Sequence, residues 1–294
     1  MYLSRGERIF EIFNYIFLIL LSLLFLIPFL SVLSTSLIGV EEWARRGAFI
    51  LIPEKVDLSA YRMLLGSKSI LFNAYGVTLA RVTVGTALNL LFTTTAAYVL
   101  ARRNLPGRTF LTLLVFIPMV FSGGLIPTFI VVDAVGLVNS FWAMIIPGLV
   151  NPWWLLIMRN FFMSIPAELE EAAIIDGASP LDVLWRVILP LSMPSIVTIG
   201  LFYAVGHWNA WFDAAIYLKD QIQYPLQLIL RSVLYLGEAS YRGEIGQMFE
   251  PEFMPPAQTL KSAMIIVSTV PILVVYPFIQ RYFVKGMLIG GIKG

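Results

Sequence analysis

Long uncharged segments alternate with short charged ones along most of this chain. About 20 apolar residues in a helix cross the hydrocarbon core of a bilayer. In lipid the backbone must satisfy its own hydrogen bonds, so segments of this length predict helices. The short alternating segments typical of a membrane barrel are absent from the sequence. The segments without Asp, Glu, Lys or Arg are residues 12–40, 82–101, 109–132, 134–158, 187–212 and 262–280.

This pattern predicts an all-α, polytopic membrane protein with six transmembrane helices, built as one transmembrane domain over residues 1–294. A charged, turn-rich loop is expected at 164–190 and a tail at 284–294. Two longer loops are expected on the opposite side of the membrane, at 41–68 and 215–261. The six spans are expected at residues 12–37, 70–101, 109–132, 137–160, 191–214 and 262–283.

Composition narrows the class of protein. Charged residues make up 13% of the chain, whereas a soluble domain carries roughly 25%. The first uncharged run is too long and too rich in Phe and Ile for a cleaved signal peptide, so we expect it to be retained as a span. The absence of cysteine excludes disulfides and thiolate metal sites, and a single histidine, His207, excludes a His-rich metal cluster. The net charge of +2 gives no reason to expect nucleic acid as a partner.

Basic residues in the short loops predict the orientation. Loop 102–108 holds three arginines, whereas the short loop between the third and fourth spans carries only Asp133. The positive-inside rule therefore places loop 102–108, loop 164–190 and both termini in the cytoplasm. Arg81 lies at the outer end of the second span, and we expect its side chain to reach the headgroups. The alternative for Arg81 is a charge that lines a pathway.

Loop 164–190 contains the start and stop signals of two short helices. Ser164 and Pro166 are expected to open the first helix, with the serine hydroxyl as its cap. Gly177 is expected to end that helix in a left-handed conformation. Ser179 and Asp182 form a near capping box for the second helix. The pattern alone leaves two interpretations open: a hairpin that only connects two spans, or an element that fits a cleft on a cytoplasmic partner.

A motif within this loop decides between the two interpretations. The chain reads Glu171-Ala172-Ala173, then Gly177 four positions later, then Val187-Ile188-Leu189-Pro190. This arrangement resembles the EAA loop of ABC importer permeases, with Val187 in place of isoleucine as the one departure. The resemblance covers nearly the whole chain, since six spans and the ending Lys285-Gly286 to Lys293-Gly294 are similar to permeases of the carbohydrate-uptake, maltose-permease-like family. Residues 121–127 and 202–209 most resemble the lipoprotein-associated and alginate-type polysaccharide importer permeases.

The resemblance implies a type I ABC importer transmembrane domain in a bacterial cytoplasmic (inner) membrane. Its expected partners are a dimer of cytoplasmic ATP-binding subunits, a second permease in a heterodimer, an extracytoplasmic saccharide-binding protein and membrane lipid. The chain has no phosphate-binding Gly-x-x-x-x-Gly-Lys-Ser/Thr loop. We therefore expect no cofactor on this chain, ATP and Mg on the partner subunits, and no enzymatic activity here. The residues expected to couple to the ATPase are Glu171, Ala172, Ala173, Asp176, Gly177, Leu189 and Pro190.

Aromatic and amide side chains within the spans are candidates for a substrate pathway, because sugars are bound by aromatic faces and hydrogen-bonding groups. Tyr203 and His207 are four residues apart and share a helix face. A buried asparagine beside Pro152 indicates irregular backbone, which survives in a membrane only against protein or water. Gly123-Gly124 and Pro127 predict a similar bend in the third span. The alternatives are an aromatic belt, helix–helix hydrogen bonding and a packing kink. The predicted pathway residues are Asn151, Trp154, Tyr203, His207, Trp208 and Asn209.

The sequence is also compatible with other functions. A polyol or a glycerophosphodiester could replace the saccharide as the imported solute. A passive channel or a scaffold would not need the coupling loop. An intramembrane enzyme would need paired catalytic groups, and the six uncharged segments hold one histidine and no acidic or basic residue besides it.

Overall fold

The chain folds entirely into helices and turns over the residues that the structure describes, so the all-α prediction is confirmed. This computed structural model describes residues 5–47, 49–66, 69–235 and 254–291, and only the backbone of residues 5 and 278–291. Residues 236–253 of the predicted outer loop and 292–294 of the predicted tail therefore lie outside the described residues. The α-helices are α1 Arg5–Thr35, α2 Val40–Arg46, α3 Ser59–Leu64, α4 Ile70–Ala101, α5 Arg108–Val120, α6 Leu125–Ala134, α7 Pro152–Met163, α8 Ala167–Ile175, α9 Pro180–Val183, α10 Leu189–Leu191, α11 Met193–Asn209, α12 Phe212–Tyr217, α13 Leu226–Tyr235 and α14 Ala257–Gly291.

Among the residues that the structure describes, three helices are long and apolar enough to cross a membrane, and the number rises to six if each of three bent pairs is one span. The single helices are α1, α4 and the Ala257–Pro277 part of α14. The bent pairs are α5 with α6 (119°), the 3₁₀ segment Phe141–Gly148 with α7 (50°), and Pro180–Leu191 with α11 (83°). The positions of the spans in a bilayer stay predictions.

The bend in the third predicted span follows from two adjacent glycines. Helix α5 ends at Val120 and α6 starts at Leu125, after Gly124 with φ +85°. Only glycine adopts that conformation without steric cost. Pro127 then lies in the first turn of α6, where the missing N–H matters little. The bend expected at Gly123-Gly124 is confirmed.

Asn151 starts α7 after the 3₁₀ turns that precede it. Its side chain accepts hydrogen bonds from the N–H groups of Trp153 (2.9 Å) and Trp154 (3.4 Å), so it caps the helix. The expected irregular backbone at Asn151-Pro152 is confirmed. The expectation of a buried asparagine is wrong for the isolated chain, in which Asn151 is exposed at the end of the helix.

The chain divides into two compact units. One contains the residues up to Phe72 together with Leu230–Ile272, and the other contains Asn73–Ile229 with Leu273–Gly294. Every residue predicted to couple or to line the pathway belongs to the second unit.

Within the first unit, the loop after α1 is fastened by one buried carboxylate. Glu42 accepts hydrogen bonds from the N–H of Glu54 (2.9 Å) and from the Arg46 guanidinium (2.7 Å) through one oxygen. Its other oxygen accepts from the N–H of Lys55 (3.3 Å). Tyr61 adds a hydrogen bond with Ser36 (2.7 Å). These contacts join α2 to residues 54–55, and α3 to the residue that follows α1.

We expect this loop to loosen in acid. The hydrogen bond from the N–H of Glu54 is the largest cause that lowers the pKa of Glu42 below 4.5. A lowered folded pKa gives stability that is complete above pH 4.5 and is lost as the pH falls through the folded value. Glu42→Gln removes an acceptor at every pH, at a cost of about 1–3 kcal/mol. Hydrogen exchange of residues 41–55 should rise in Glu42→Gln and lose its acid dependence. Glu41→Gln, at an exposed neighbour, is the matched control, and equal exchange in the two variants would contradict the assignment.

Candidate functional site

The loop between α7 and α11 folds as two short helices joined at Gly177, as predicted. Gly177 has φ +86°. Its N–H donates to the carbonyl of Ile174 (3.0 Å), and the N–H of Ala178 donates to the carbonyl of Ala173 (2.9 Å). This pair of bonds is the Schellman arrangement, which satisfies the last carbonyls of a helix and requires a left-handed residue. Backbone conformation, and not lack of space, therefore fixes glycine here, since a Cβ would meet nothing within 4 Å.

The two helices begin with different caps. The capping box of α9 is complete, with Ser179 and Asp182 bonded in both directions. The Ser179 hydroxyl donates to the Asp182 carboxylate (2.5 Å) and holds the pKa of that carboxyl below its usual value. The prediction for Ser164 is wrong. Pro166 occupies the cap position of α8 without a side-chain bond, and the Ser164 hydroxyl instead donates to the carbonyl of Phe161 (2.7 Å) at the end of α7.

A polar contact attaches α8 to the cytoplasmic end predicted for α4. The Arg102 guanidinium donates to Glu170 (2.8 Å) and to the hydroxyl of Tyr98 (2.6 Å). The same hydroxyl lies 3.3 Å from the carbonyl of Pro180, at the start of α9. One tyrosine and one arginine therefore hold both short helices against α4.

An apolar contact attaches the same two helices to α7 and α11. Val183, Leu184 and Ile188 are buried in a cluster with Leu155 and Met158 of α7 and with residues of α4 and α11. Leu184–Ile188 forms a π-helical turn, which leads through α10 into the sharp bend before α11. The whole segment 164–190 is thus packed on one side only.

The opposite side of this segment is exposed and largely apolar. Ile175 at the tip is 85% exposed, and Leu181 and Trp185 of the second helix are exposed as well. We call Ile175, Leu181 and Trp185 the tip face. Of the predicted coupling residues, five are exposed and two are half-buried: Ala173 and Leu189 pack inward, whereas Glu171, Ala172, Asp176, Gly177 and Pro190 face outward.

A second feature is a cavity of about 420 Å³ among α4, α7, α11 and the 3₁₀ segment. Four of the predicted pathway residues line it, namely Asn151, Trp154, Tyr203 and His207. Trp208 and Asn209 are not part of its wall. Trp208 is buried, with its ring 6.5 Å from that of Tyr75, and Asn209 donates back to the carbonyl of Val205 in its own helix (2.9 Å).

Arg81 lies buried at one end of this cavity, which makes the prediction of a side chain reaching the headgroups wrong. It is 2% exposed and forms a two-pronged ion pair with Asp213. Its guanidinium also donates to the carbonyl of Met144 (3.2 Å) and to Nδ1 of His207 (3.3 Å). A buried charge needs partners of this kind, and the cavity offers them where the sequence alone suggested lipid headgroups.

The hydrogen bonds around His207 fix its tautomer. Arginine has no acceptor, so Nδ1 of His207 accepts from Arg81 and Nε2 carries the proton. Nε2 then donates to the side-chain oxygen of Asn89 (2.6 Å). The amide nitrogen of Asn89 donates onward to the carbonyls of Gly148 (3.1 Å) and Leu149 (2.7 Å). The chain of bonds runs in one direction, from Arg81 to the 3₁₀ segment, and holds His207 neutral.

A second set of hydrogen bonds, centred on Tyr203, reaches the start of α7. Its hydroxyl bonds with Thr93 (2.8 Å) and accepts from the N–H of Asn151 (3.1 Å). Beside it, the rings of Trp154 and Phe202 are stacked, with centroids 4.5 Å apart and planes within 13°. The cavity wall therefore combines flat aromatic rings with hydrogen-bonding groups.

Sequence reasoning missed three members of this network: Asn89, Thr93 and Asp213. Asn89 and Thr93 are four residues apart on one face of α4, and both are fully buried. Asp213 and Arg81 are opposite charges near the outer ends of two predicted spans. Pairing these charges was a usable signal, whereas nothing in the sequence distinguished Asn89 from the other polar residues of α4.

Gly85 faces His207 across this network, and the contact leads to a prediction. A Cβ at Gly85 would lie 2.5 Å from Nε2 of His207, so Gly85→Ala must displace the imidazole. We expect a loss of about 1–3 kcal/mol from overpacking, measured as a lower thermal midpoint of the purified protein. Gly76→Ala, in the same helix with nothing within 4 Å, should be neutral or stabilising, because alanine favours helix. Equal effects of the two substitutions would show that His207 is not held in place.

Three comparisons identify the family. The family model for the inner membrane component of binding-protein-dependent transport systems matches residues 89–289. Protein LplC of Bacillus subtilis strain 168 is 43% identical over 100% of this chain and 98% of its own length. The polygalacturonan/rhamnogalacturonan transport system permease protein YtcP of the same strain is 42% identical over 98% of this chain and 99% of its own.

The fold agrees with a solved relative. A chain in the crystal structure of a bacterial ABC transporter involved in the import of the acidic polysaccharide alginate matches with a TM-score of 0.84 and 31% identity. The match covers 96% of this chain and 99% of that one. The resemblance to ABC importer permeases is therefore confirmed. The chain belongs to the family of binding-protein-dependent transport system inner membrane components, and it is a permease subunit of an ABC transporter and not an enzyme.

Proposed function

We propose that this chain forms half of the translocation pathway of an ATP-driven, binding-protein-dependent importer of oligo- or polysaccharides. The observation that carries this proposal is the stacked pair Trp154 and Phe202 on the cavity wall, beside hydrogen-bonding side chains. A pyranose ring presents C–H groups on its faces and hydroxyls at its edge. It therefore fits a wall of aromatic faces beside groups that donate and accept hydrogen bonds.

The hydrogen-bonding part of that wall is set in advance. Tyr203 and His207 are held in one orientation by Thr93, Asn89 and Arg81. Both nitrogens of His207 are already bonded, so this side chain fixes the shape of the wall, and the Tyr203 hydroxyl keeps hydrogen-bonding capacity for a ligand. Preorganised groups lose less entropy when a ligand binds. The charges in the wall are paired, since Arg81 is bonded to Asp213. Relatives named for polygalacturonan and alginate support a saccharide as the solute.

The tip face and the residues beside it couple the chain to ATP hydrolysis in this proposal. An exposed apolar tip on a packed base is a surface suited to a cleft on another protein. Glu171, Ala172 and Asp176 lie on the exposed side and would contact a cytoplasmic ATPase dimer that holds ATP and Mg. The contact of Arg102 with Glu170 would pass the resulting movement to α4, and the apolar base would pass it to α7 and α11.

The remaining parts of the assembly follow from the same proposal. A second permease would complete the cavity as a heterodimer, and an extracytoplasmic saccharide-binding protein would dock on the side of residues 41–68 and 215–261. The chain would cross the bacterial inner membrane several times, with both termini in the cytoplasm. The three arginines of loop 102–108 support that orientation through the positive-inside rule, and two of them, Arg102 and Arg103, lie beside the predicted coupling segment.

Trp154→Ala tests the saccharide wall. The assembled transporter is purified through a tag on this chain, its subunits are identified by mass spectrometry, and its ATPase rate is measured with binding protein and candidate oligosaccharides. Loss of the stacked ring should weaken the apparent affinity about tenfold, since stacking and apolar burial together amount to about 1–2 kcal/mol.

Trp153→Ala is the matched control for this experiment. Trp153 is the exposed neighbour and is not part of the cavity wall, so its removal should leave the saccharide response unchanged. An unchanged saccharide affinity in Trp154→Ala would count against a role of this cavity wall in binding the saccharide. Stimulation by a polyol or a glycerophosphodiester and by no saccharide would assign a different solute.

Gly177→Val tests the coupling segment. A β-branched residue at φ +86° costs about 1–2 kcal/mol in backbone strain, so ATP-dependent uptake into vesicles should fall roughly tenfold while the protein still inserts. Gly177→Asn should retain most of the uptake, because asparagine tolerates the left-handed conformation. Unchanged uptake in Gly177→Val would remove the coupling role from this turn.

A further inference from the structure

Two arginines converge on a single backbone oxygen at the end of α4. Nε of Arg108 and Nε of Arg159 each lie 3.1 Å from the carbonyl oxygen of Leu100. Both side chains are half-buried. One of them comes from the first residue of α5 and the other from α7. Three helices therefore meet at a point that carries two positive charges.

No carboxylate among the described residues neutralises this pair. The neighbouring arginine of the same loop, Arg102, is the one that pairs with Glu170. Arg108 makes its other contact with the sulfur of Met163 (3.0 Å), and Arg159 with the side-chain oxygen of Asn160 (3.3 Å). Each guanidinium has five N–H groups, so several donors remain on both.

The first turn of α5 adds a third positive feature. Its cap residue, Gly107, has φ +71° and no side chain to accept from the free N–H groups of the turn. Arg108 places a cation at the positive end of the helix dipole, where an anion is favoured. The carbonyl of Leu100 has two lone pairs, so one Nε–H from each arginine fills its acceptor capacity and the other N–H groups of both guanidiniums are left for a further ligand.

We propose that Arg108 and Arg159, with the first turn of α5, bind the phosphate group of an anionic phospholipid. Guanidinium groups and a helix N-terminus are the donors that recognise phosphate oxygens. The apolar side chains that follow along α5, Phe110, Leu111 and Leu114, are exposed and offer a surface for acyl chains. Free inorganic phosphate shares the same chemistry and is the other source of the ligand.

Native mass spectrometry of the purified transporter tests the site. After delipidation, the protein is titrated with phosphatidylglycerol, with diacylglycerol, which lacks the phosphate, and separately with inorganic phosphate. Phosphatidylglycerol should bind in preference to diacylglycerol. Arg108→Gln and Arg159→Gln should each weaken its binding roughly tenfold, since each removes charge-assisted hydrogen bonds.

Arg103→Gln is the matched control. Arg103 is an exposed arginine of the same loop, and its removal should leave the affinity unchanged. Binding that survives Arg108→Gln and Arg159→Gln, or that falls equally in Arg103→Gln, would overturn the proposal. Arg108→Gln alone keeps Arg159 on the carbonyl of Leu100, so it tests the site even if the other variant does not assemble. If inorganic phosphate binds as tightly as phosphatidylglycerol through the same two arginines, the site binds phosphate, and its ligand is the free ion and not a lipid.

Discussion

The second unit is organised around the buried guanidinium of Arg81. Removing a charge from water costs several kcal/mol unless it is paired and hydrogen-bonded, and here the partners come from three other elements. Asp213 of α12, His207 of α11 and the carbonyl of Met144 in the 3₁₀ segment all bond to it. The requirement to satisfy one cation thus fixes where α4, α11 and the irregular part of the fourth predicted span meet, and it shapes the cavity between them.

Polar bonds and apolar packing stabilise different parts of this unit. Directional polar bonds define the cavity wall, where they hold Tyr203 and His207 in one orientation. Apolar packing holds the segment 164–190, where Val183, Leu184 and Ile188 lie in the same cluster as α7 and α11. The polar bonds fix the orientation of individual side chains, and the apolar packing holds complementary helix surfaces together.

The sequence predicted what depends on local chemistry and missed what depends on tertiary partners. The break at Gly123-Gly124, the turn at Gly177 and the capping box at Ser179 are set by residues within a few positions, and they were predicted. Ser164 failed as a cap because α7 extends to Met163 and its end takes the hydroxyl. The prediction for Arg81 failed because its side-chain partners, His207 and Asp213, are more than a hundred residues away in sequence, where a hydropathy pattern carries no information about contacts.

The apolar cluster beneath segment 164–190 also contains the ring of Tyr203, whose hydroxyl belongs to the cavity wall. A close-packed interior has low compressibility and transmits strain instead of absorbing it. Tyr203 therefore connects the two regions. Its ring packs in the apolar cluster, and its hydroxyl bonds with Thr93 and with the N–H of Asn151 at the start of α7. If segment 164–190 moves as proposed, a shift that this cluster passes on to the ring of Tyr203 would lengthen or break the hydrogen bonds of its hydroxyl.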